Sequence, residues 1–92
     1  MMELRFTAKF KKDYKRIKRQ DKDISKLESA LEVLARREAV PEAMRDHSLG
    51  GTYCGHRECH IEPDWLLIYR IDEEGLVLVA TRTGSHSELF GL

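Results

Sequence analysis

The feature that most limits what this chain can fold into is a pair of apolar runs separated by a short polar break. Asp64 to Ile71 and Leu76 to Thr83 are rich in Leu, Ile, Val and aromatic residues, and Asp72-Glu73-Glu74-Gly75 lies between them. Each run has the length and side-chain character of a strand, and a short break ending in glycine closes a hairpin. Apolar character on both faces places these two strands inside a sheet rather than at its edge. The segment before them, Tyr53 to Ile61, reads as a further strand, more polar than its neighbour, followed by Ile61-Glu62-Pro63 as the turn. On that strand Arg57 and Cys59 share one face, and Cys54, His56, Glu58 and His60 share the other. An up-down-up meander brings the end of its first strand, the start of its second and the end of its third to one edge. His60, Asp64 and the stretch from Arg82 to His86 are therefore predicted to converge, although they are far apart in sequence.

The first half of the chain is helical by its periodicity. Glu3-Leu4-Arg5-Phe6 alternates as a short strand does, and Thr7 is placed to cap the N-terminus of a first helix. Phe10, Tyr14 and Ile17 recur at helical spacing with Lys9, Lys11, Lys12, Lys15, Lys18 and Arg19 around them, giving an amphipathic helix with a basic exterior. Gln20 to Asp23 breaks the pattern, and Ile24, Leu27, Leu31 and Leu34 form the stripe of a second helix that ends before Pro41. The short break favours an antiparallel helical hairpin. Val40 to Tyr53 is then a connecting segment containing Gly50-Gly51, with His47 in a loop as either a binding group or an incidental surface histidine. The predicted fold is α+β: a short N-terminal strand, a two-helix hairpin and a three-stranded antiparallel meander, with the helices on one face of the sheet.

With 92 residues the chain suits one domain with a modest core. Formal net charge is zero, yet residues 1–20 hold eight Lys or Arg against two acids, and the remaining 72 hold eight against fourteen. A basic arm of this kind either binds phosphate backbones or an acidic protein, or is a solvated helix face. Met1 to Phe10 lacks the apolar stretch of a signal peptide, and no run approaches the roughly 18 apolar residues of a membrane span, so a cytoplasmic location is expected. Cys54 and Cys59, the two cysteines, would lie about 16 Å apart on a continuous strand, whereas a disulfide needs Cα atoms within about 7 Å. Both are expected to be reduced.

Three chemistries compete for the histidine-bearing region. Metal binding is disfavoured by spacing, because His56 and His60 would be about 13 Å apart along a strand while zinc sits about 2 Å from each ligand. Cysteine nucleophilic catalysis is disfavoured because Cys59 and His60, adjacent on a strand, point to opposite faces. General acid–base catalysis fits better: His60 and Asp64 flank a turn, which would put them about 5 Å apart on facing strands, and His86 arrives from the last strand. Arg57 and Arg82 are candidates to neutralise a phosphate, and Trp65 and Phe90 to stack on bases, a contact worth about 1–3 kcal/mol each. Trp65 at a strand start fits a core position equally well. Such a metal-free set is sufficient to cleave RNA through its own 2′-hydroxyl.

Three motifs run through the second half of the chain: Asp46-His47-x-Leu49-x-Gly51, then Gly55-x-Arg57-Glu58-x-His60-Ile61-x-Pro63-Asp64-Trp65-Leu66-Leu67-Ile68-Tyr69, then Thr83-Gly84-Ser85-His86-Ser87-x-Leu89-Phe90. In order and spacing they resemble the YafQ branch of the RelE/ParE toxin superfamily, over about half the chain. The resemblance implies the toxin of a bacterial type II toxin–antitoxin pair, an endonuclease that cuts mRNA in the ribosomal A site and is neutralised by a cognate antitoxin. It implies His47, His60, Asp64 and His86 as the catalytic set, with Trp65 and Phe90 near the message and Arg82 at a phosphate. His56, Cys54 and Cys59 are outside the pattern and receive no role. Lys11, Lys12 and Lys15 are expected to face ribosomal RNA. A ParE-like inhibitor of DNA gyrase, which would cleave nothing, is the alternative.

Overall fold

In the computed structural model, which describes residues 1–91, the three helices begin at the side chains suited to start them. The Thr7 hydroxyl accepts the Phe10 N–H at 3.0 Å, the Asp23 carboxylate accepts the Ser25 N–H at 3.1 Å, and Ser85 and Glu88 form a reciprocal capping box. The helices are α1 (Ala8–Arg19), α2 (Ile24–Ala35) and α3 (His86–Phe90). The strands are β1 (Glu3–Phe6), β2 (His47–Ser48), β3 (Arg57–Glu62), β4 (Trp65–Asp72) and β5 (Val77–Gly84), in one five-stranded sheet of order β1-β5-β4-β3-β2. Only β1 runs parallel to its neighbour; the other pairings are antiparallel. No helix among the described residues is long and apolar enough to cross a membrane.

The expected meander is present as β3, β4 and β5, with the helical hairpin on one face. Phe10 and Ile17 of α1 and Leu27, Leu31 and Leu34 of α2 pack there against Trp65, Leu67, Tyr69, Leu78 and Ala80. The opposite face is covered more thinly, by Leu89 of α3 with Leu49 and Tyr53 over Leu66 and Ile68. This second layer explains why β4 is apolar on both faces.

Three local expectations are corrected. His47 is not in a loop but in β2, where it pairs with Glu58. The strand predicted from Tyr53 starts only at Arg57, because Gly51–Tyr53 coils into a 3-10 turn and Gly55 takes φ +86°, folding the chain back so that the Leu49 N–H reaches the His56 carbonyl at 2.9 Å. The β3–β4 turn is also tighter than expected. Glu62 pairs with Trp65, an irregularity falls between His60 and Glu62, and Asp64 sits in the turn itself while His60 faces Leu66.

At the far end of β5 the sheet is completed by side chains. β1 ends opposite Ala80, so the backbone beyond it has no strand on that side. The Thr83 N–H donates to Asp13 Oδ2 at 3.2 Å and the Thr83 carbonyl accepts from Arg16 Nη2 at 2.9 Å, so α1 supplies both missing partners. The Thr83 hydroxyl accepts the Trp65 indole N–H at 2.9 Å and donates to the Leu66 carbonyl at 2.8 Å. Thr83, Trp65 and Leu66 are all buried. Thr83→Val keeps the volume and strands that indole donor and carbonyl, so it is expected to cost about 1–3 kcal/mol in urea unfolding at 25 °C. A loss below about 0.5 kcal/mol would show that the hydroxyl is dispensable.

Candidate active site

Strand register places the polar residues in rows on the face away from the hairpin. His47 pairs with Glu58, Glu58 with Ile68 and Ile68 with Arg82, while the next row holds His60, Leu66 and Gly84. Side chains of paired residues share a face, so His47, Glu58, His60 and Arg82 lie on the same side. Gly84 suits glycine: its φ is +157°, and an added Cβ would lie 2.6 Å from Arg16 Nη2 and displace that guanidinium. The chain leaves the sheet there, and the Ser85 cap sets His86 in the first turn of α3.

The histidines form a line. His60 is central, its ring centroid 6.3 Å from that of His47 and 5.8 Å from that of His86. Asp64 accepts both the backbone N–H of His86 at 2.9 Å and its Nδ1 at 2.6 Å. Those two bonds, the backbone one foremost, hold the Asp64 carboxyl below its ordinary value. The ionised carboxylate only accepts, so His86 carries its proton on Nδ1 and presents a bare Nε2 when neutral. His47 is fixed in the same sense, with Nδ1 2.7 Å from the Arg45 carbonyl. Between His47 and His60 lies Glu58, 5 % exposed, whose Oε1 is 3.6 Å from His47 Nε2 and 3.8 Å from His60 Nε2. His60 Nδ1 is buried without a hydrogen-bond partner among the described residues. Three imidazoles, two held in one tautomer by backbone or carboxylate, are the kind of groups that accept and donate protons near neutral pH.

The structure brings His47, His60, Asp64 and His86 together, but pairs Asp64 with His86 and not with His60. Other assignments fall away. Trp65 is fully buried on the hairpin face and cannot stack on a base, since its indole belongs to the Thr83 network. Arg57 lies on the opposite face from His60, held by Asp46 at 2.6 Å from Nε, with the Tyr69 hydroxyl donating to the same carboxylate. It therefore does not join the histidines as a phosphate contact. Arg82 is on the histidine side and is gripped by Asp13 through Nε and Nη2. Phe90 is 37 % exposed and meets Tyr53 edge-on at 5.9 Å. Lys11, Lys12 and Lys15 are exposed on α1, remote from the histidine face. Cys54 and Cys59 are both free, and burial pushes the Cys59 thiol up to about 12, which removes it as a nucleophile. His56 packs edge-on against Tyr53.

Glu58 is the site residue that sequence reasoning misses, although its position two residues before His60 on one strand face is a sufficient signal. It also alters the metal argument. Spacing along one strand excludes a shared ion between His56 and His60, but Glu58, His60 and His86 have ligand atoms all within 4.8 Å of one another. Two imidazoles and a carboxylate suit zinc or copper.

Comparison with known proteins agrees with this fold. The family model described as the bacterial toxin of type II toxin–antitoxin systems, YafQ, matches residues 2–91. The mRNA interferase toxin YafQ of Escherichia coli K12 is 34% identical over 90 residues, spanning 97% of this chain and 96% of the relative. The toxin in the crystal structure of the E. coli DinJ–YafQ toxin–antitoxin complex superposes with a TM-score of 0.88 at 34% identity, covering 98% of each chain. A metal-bound toxin from Helicobacter pylori superposes with a TM-score of 0.91 at 37% identity, covering 98% of this chain and all of that one. Matched along nearly its whole length in sequence and in fold, the chain belongs to the YafQ family of toxins of type II toxin–antitoxin systems.

Proposed function

We propose that this toxin is a ribosome-dependent mRNA endonuclease that cleaves by general acid–base catalysis with His47, His60, Asp64 and His86. The observation that carries the reading is the line of three imidazoles beside an Asp64-oriented His86. One neutral imidazole takes the proton of a ribose 2′-hydroxyl as that oxygen attacks the adjacent phosphorus. A protonated imidazole gives its proton to the departing 5′-oxygen, leaving a 2′,3′-cyclic phosphate and a 5′-hydroxyl. His86, with its Nδ1 proton committed to Asp64, changes protonation only at Nε2, and so does His47 beside the Arg45 carbonyl. Glu58 stabilises whichever of His47 and His60 becomes charged. The Arg82 Nη1 atom, which Asp13 does not use, supplies positive charge for the pentacoordinate phosphorus. Phe90 offers a ring to a neighbouring base.

The message is presented by the ribosome, where the basic exterior of α1 at Lys11, Lys12 and Lys15 contacts ribosomal RNA. A cognate antitoxin silences the protein, as the complex of the E. coli relative supports. Replacing the three lysines by Glu is expected to weaken co-sedimentation with ribosomes at 100 mM salt while leaving the fold intact. Unchanged binding would remove α1 from the interface.

The primary test compares cleavage of one message with and without translating ribosomes, beside His86→Ala. Cuts that need the ribosome and fall by about 10²–10⁴-fold in the variant are expected. Growth arrest with intact message, together with inhibition of supercoiling by purified gyrase, would establish the ParE-like alternative instead. The pH dependence of kcat/KM should show no carboxylate limb near neutral pH. Asp64 adds no limb there, because its carboxyl is held below the ordinary carboxylate range.

Metal and catalysis compete in this mechanism. An ion held by Glu58, His60 and His86 would occupy the lone pairs that move protons. Cleavage should survive chelation and be suppressed by added Zn²⁺. Loss of activity on chelation, restored by Zn²⁺, would replace the acid–base mechanism by a metal-assisted one.

A further inference from the structure

We propose that Asp13 is a positioning residue for cleavage: from α1, on the other face of the sheet, it fixes the Arg82 guanidinium and, through Arg16, the turn that carries His86. The inference rests on the acid–base mechanism proposed for the histidine line. Asp13 is only 2 % exposed, and with Glu58 and Thr83 it is one of three buried polar residues among those described. Its carboxylate accepts from Arg82 Nε at 2.6 Å and Nη2 at 3.1 Å, from Arg16 Nη1 at 2.9 Å and from the Thr83 N–H at 3.2 Å. Completing the β5 edge requires only the last of these. The two guanidinium contacts need another reason.

Arg82 faces Ile68 on the histidine side, yet reaches round the open edge of β5 to a carboxylate on the helical side. A two-point grip on a planar guanidinium fixes its orientation as well as its place. It leaves Nη1 outside Asp13's grip, with the Tyr53 side chain as the guanidinium's other neighbour. A free arginine would be ordered only when substrate arrived, at an entropic cost that the fixed one avoids.

The second arm reaches α3. Arg16 Nε is 3.0 Å from Glu88 Oε2, an ion pair without hydrogen-bond alignment, and Arg16 Nη2 bonds the Thr83 carbonyl. Glu88 Oε1 accepts the Ser85 N–H at 2.8 Å and the Ser85 hydroxyl accepts the Glu88 N–H at 3.2 Å. His86 is the next residue after Ser85. Buried carboxylate, guanidinium, carboxylate and cap thus run in series from α1 to the imidazole that Asp64 orients.

The test is a double-mutant cycle on cleavage of one message by the ribosome-bound toxin. Asp13→Asn keeps the shape and removes the charge that holds both arginines. It is expected to lower kcat about 10–100-fold with KM changed less than about threefold, since a misplaced group is felt in the transition state. In an Arg82→Ala background the same substitution should cost less than in the wild type, because only the arm through Arg16 is left to lose. An equal loss in both backgrounds, wild-type kcat in folded Asp13→Asn, or no loss on Arg82→Ala would overturn the proposal. Should Asp13→Asn fail to fold, Arg16→Gln is read by NMR. The His86 ring resonances are expected to move while those of His47 stay, and unmoved His86 resonances would overturn the proposal. Wild-type protein that cleaves no message would overturn the nuclease mechanism and this inference with it, whereas the variant outcomes, with wild-type cleavage intact, overturn this inference alone.

Discussion

The structure depends on how the unpaired end of β5 is satisfied. A strand edge buried without partners is costly for every N–H and C=O it leaves unbonded. Here β1 is too short to cover the edge, and Asp13 and Arg16 bond the Thr83 backbone in its place. The Thr83 hydroxyl at the same point ties the Trp65 indole to the Leu66 carbonyl. One residue therefore joins α1, β4 and β5 immediately before the chain turns at Gly84 into the helix that bears His86. Packing and the histidine site share this junction, and that is why the polar end of the sheet is also a buried, hydrogen-bonded one.

The sheet separates two tasks by face. The hairpin side holds most of the apolar contacts, from Phe10 to Leu34 against the centre of the sheet, and it claims Trp65, Cys59 and Tyr69. The other side is covered only by α3 and the segment around Leu49 and Tyr53. Thin cover leaves room for polar groups. Glu58 sits buried between His47 and His60, with Oε1 3.6 Å and 3.8 Å from their Nε2 atoms. An overlapping set, Glu58, His60 and His86, has ligand atoms within 4.8 Å of one another, so a cation there would compete with protons for the same atoms.

Much of this is legible in the chain itself. The period-3.6 stripes of Phe10, Tyr14 and Ile17 and of Ile24, Leu27, Leu31 and Leu34 announce the hairpin, and the apolar runs after Asp64 announce the central strands. Alternation puts His60 and Glu58 on one face of their strand, and the meander delivers His86 to the same edge. These inferences succeed because they rest on local periodicity and on the direction reversal that a short turn enforces. His47, Asp64 and the arginines do not obey such rules. His47 is placed by a two-residue strand too short to have a pattern, and Asp64 by an irregularity that moves it from a position facing His60 into the turn beside His86. Arg57 and Arg82 are legible as cations, while their carboxylate partners Asp46 and Asp13 are not.

The sequence by itself determined the two long helices, the central strands, the family and the identity of the candidate proton carriers, because side-chain periodicity, caps and motif spacing are properties of neighbouring residues. The tertiary structure alone decided which acid orients which imidazole, that Trp65 is core, and that each site arginine is already paired. Those are contacts between residues distant in sequence. Their geometry is fixed by strand register and by which edge of the sheet lacks a strand, and neither quantity is written in any single stretch of the chain.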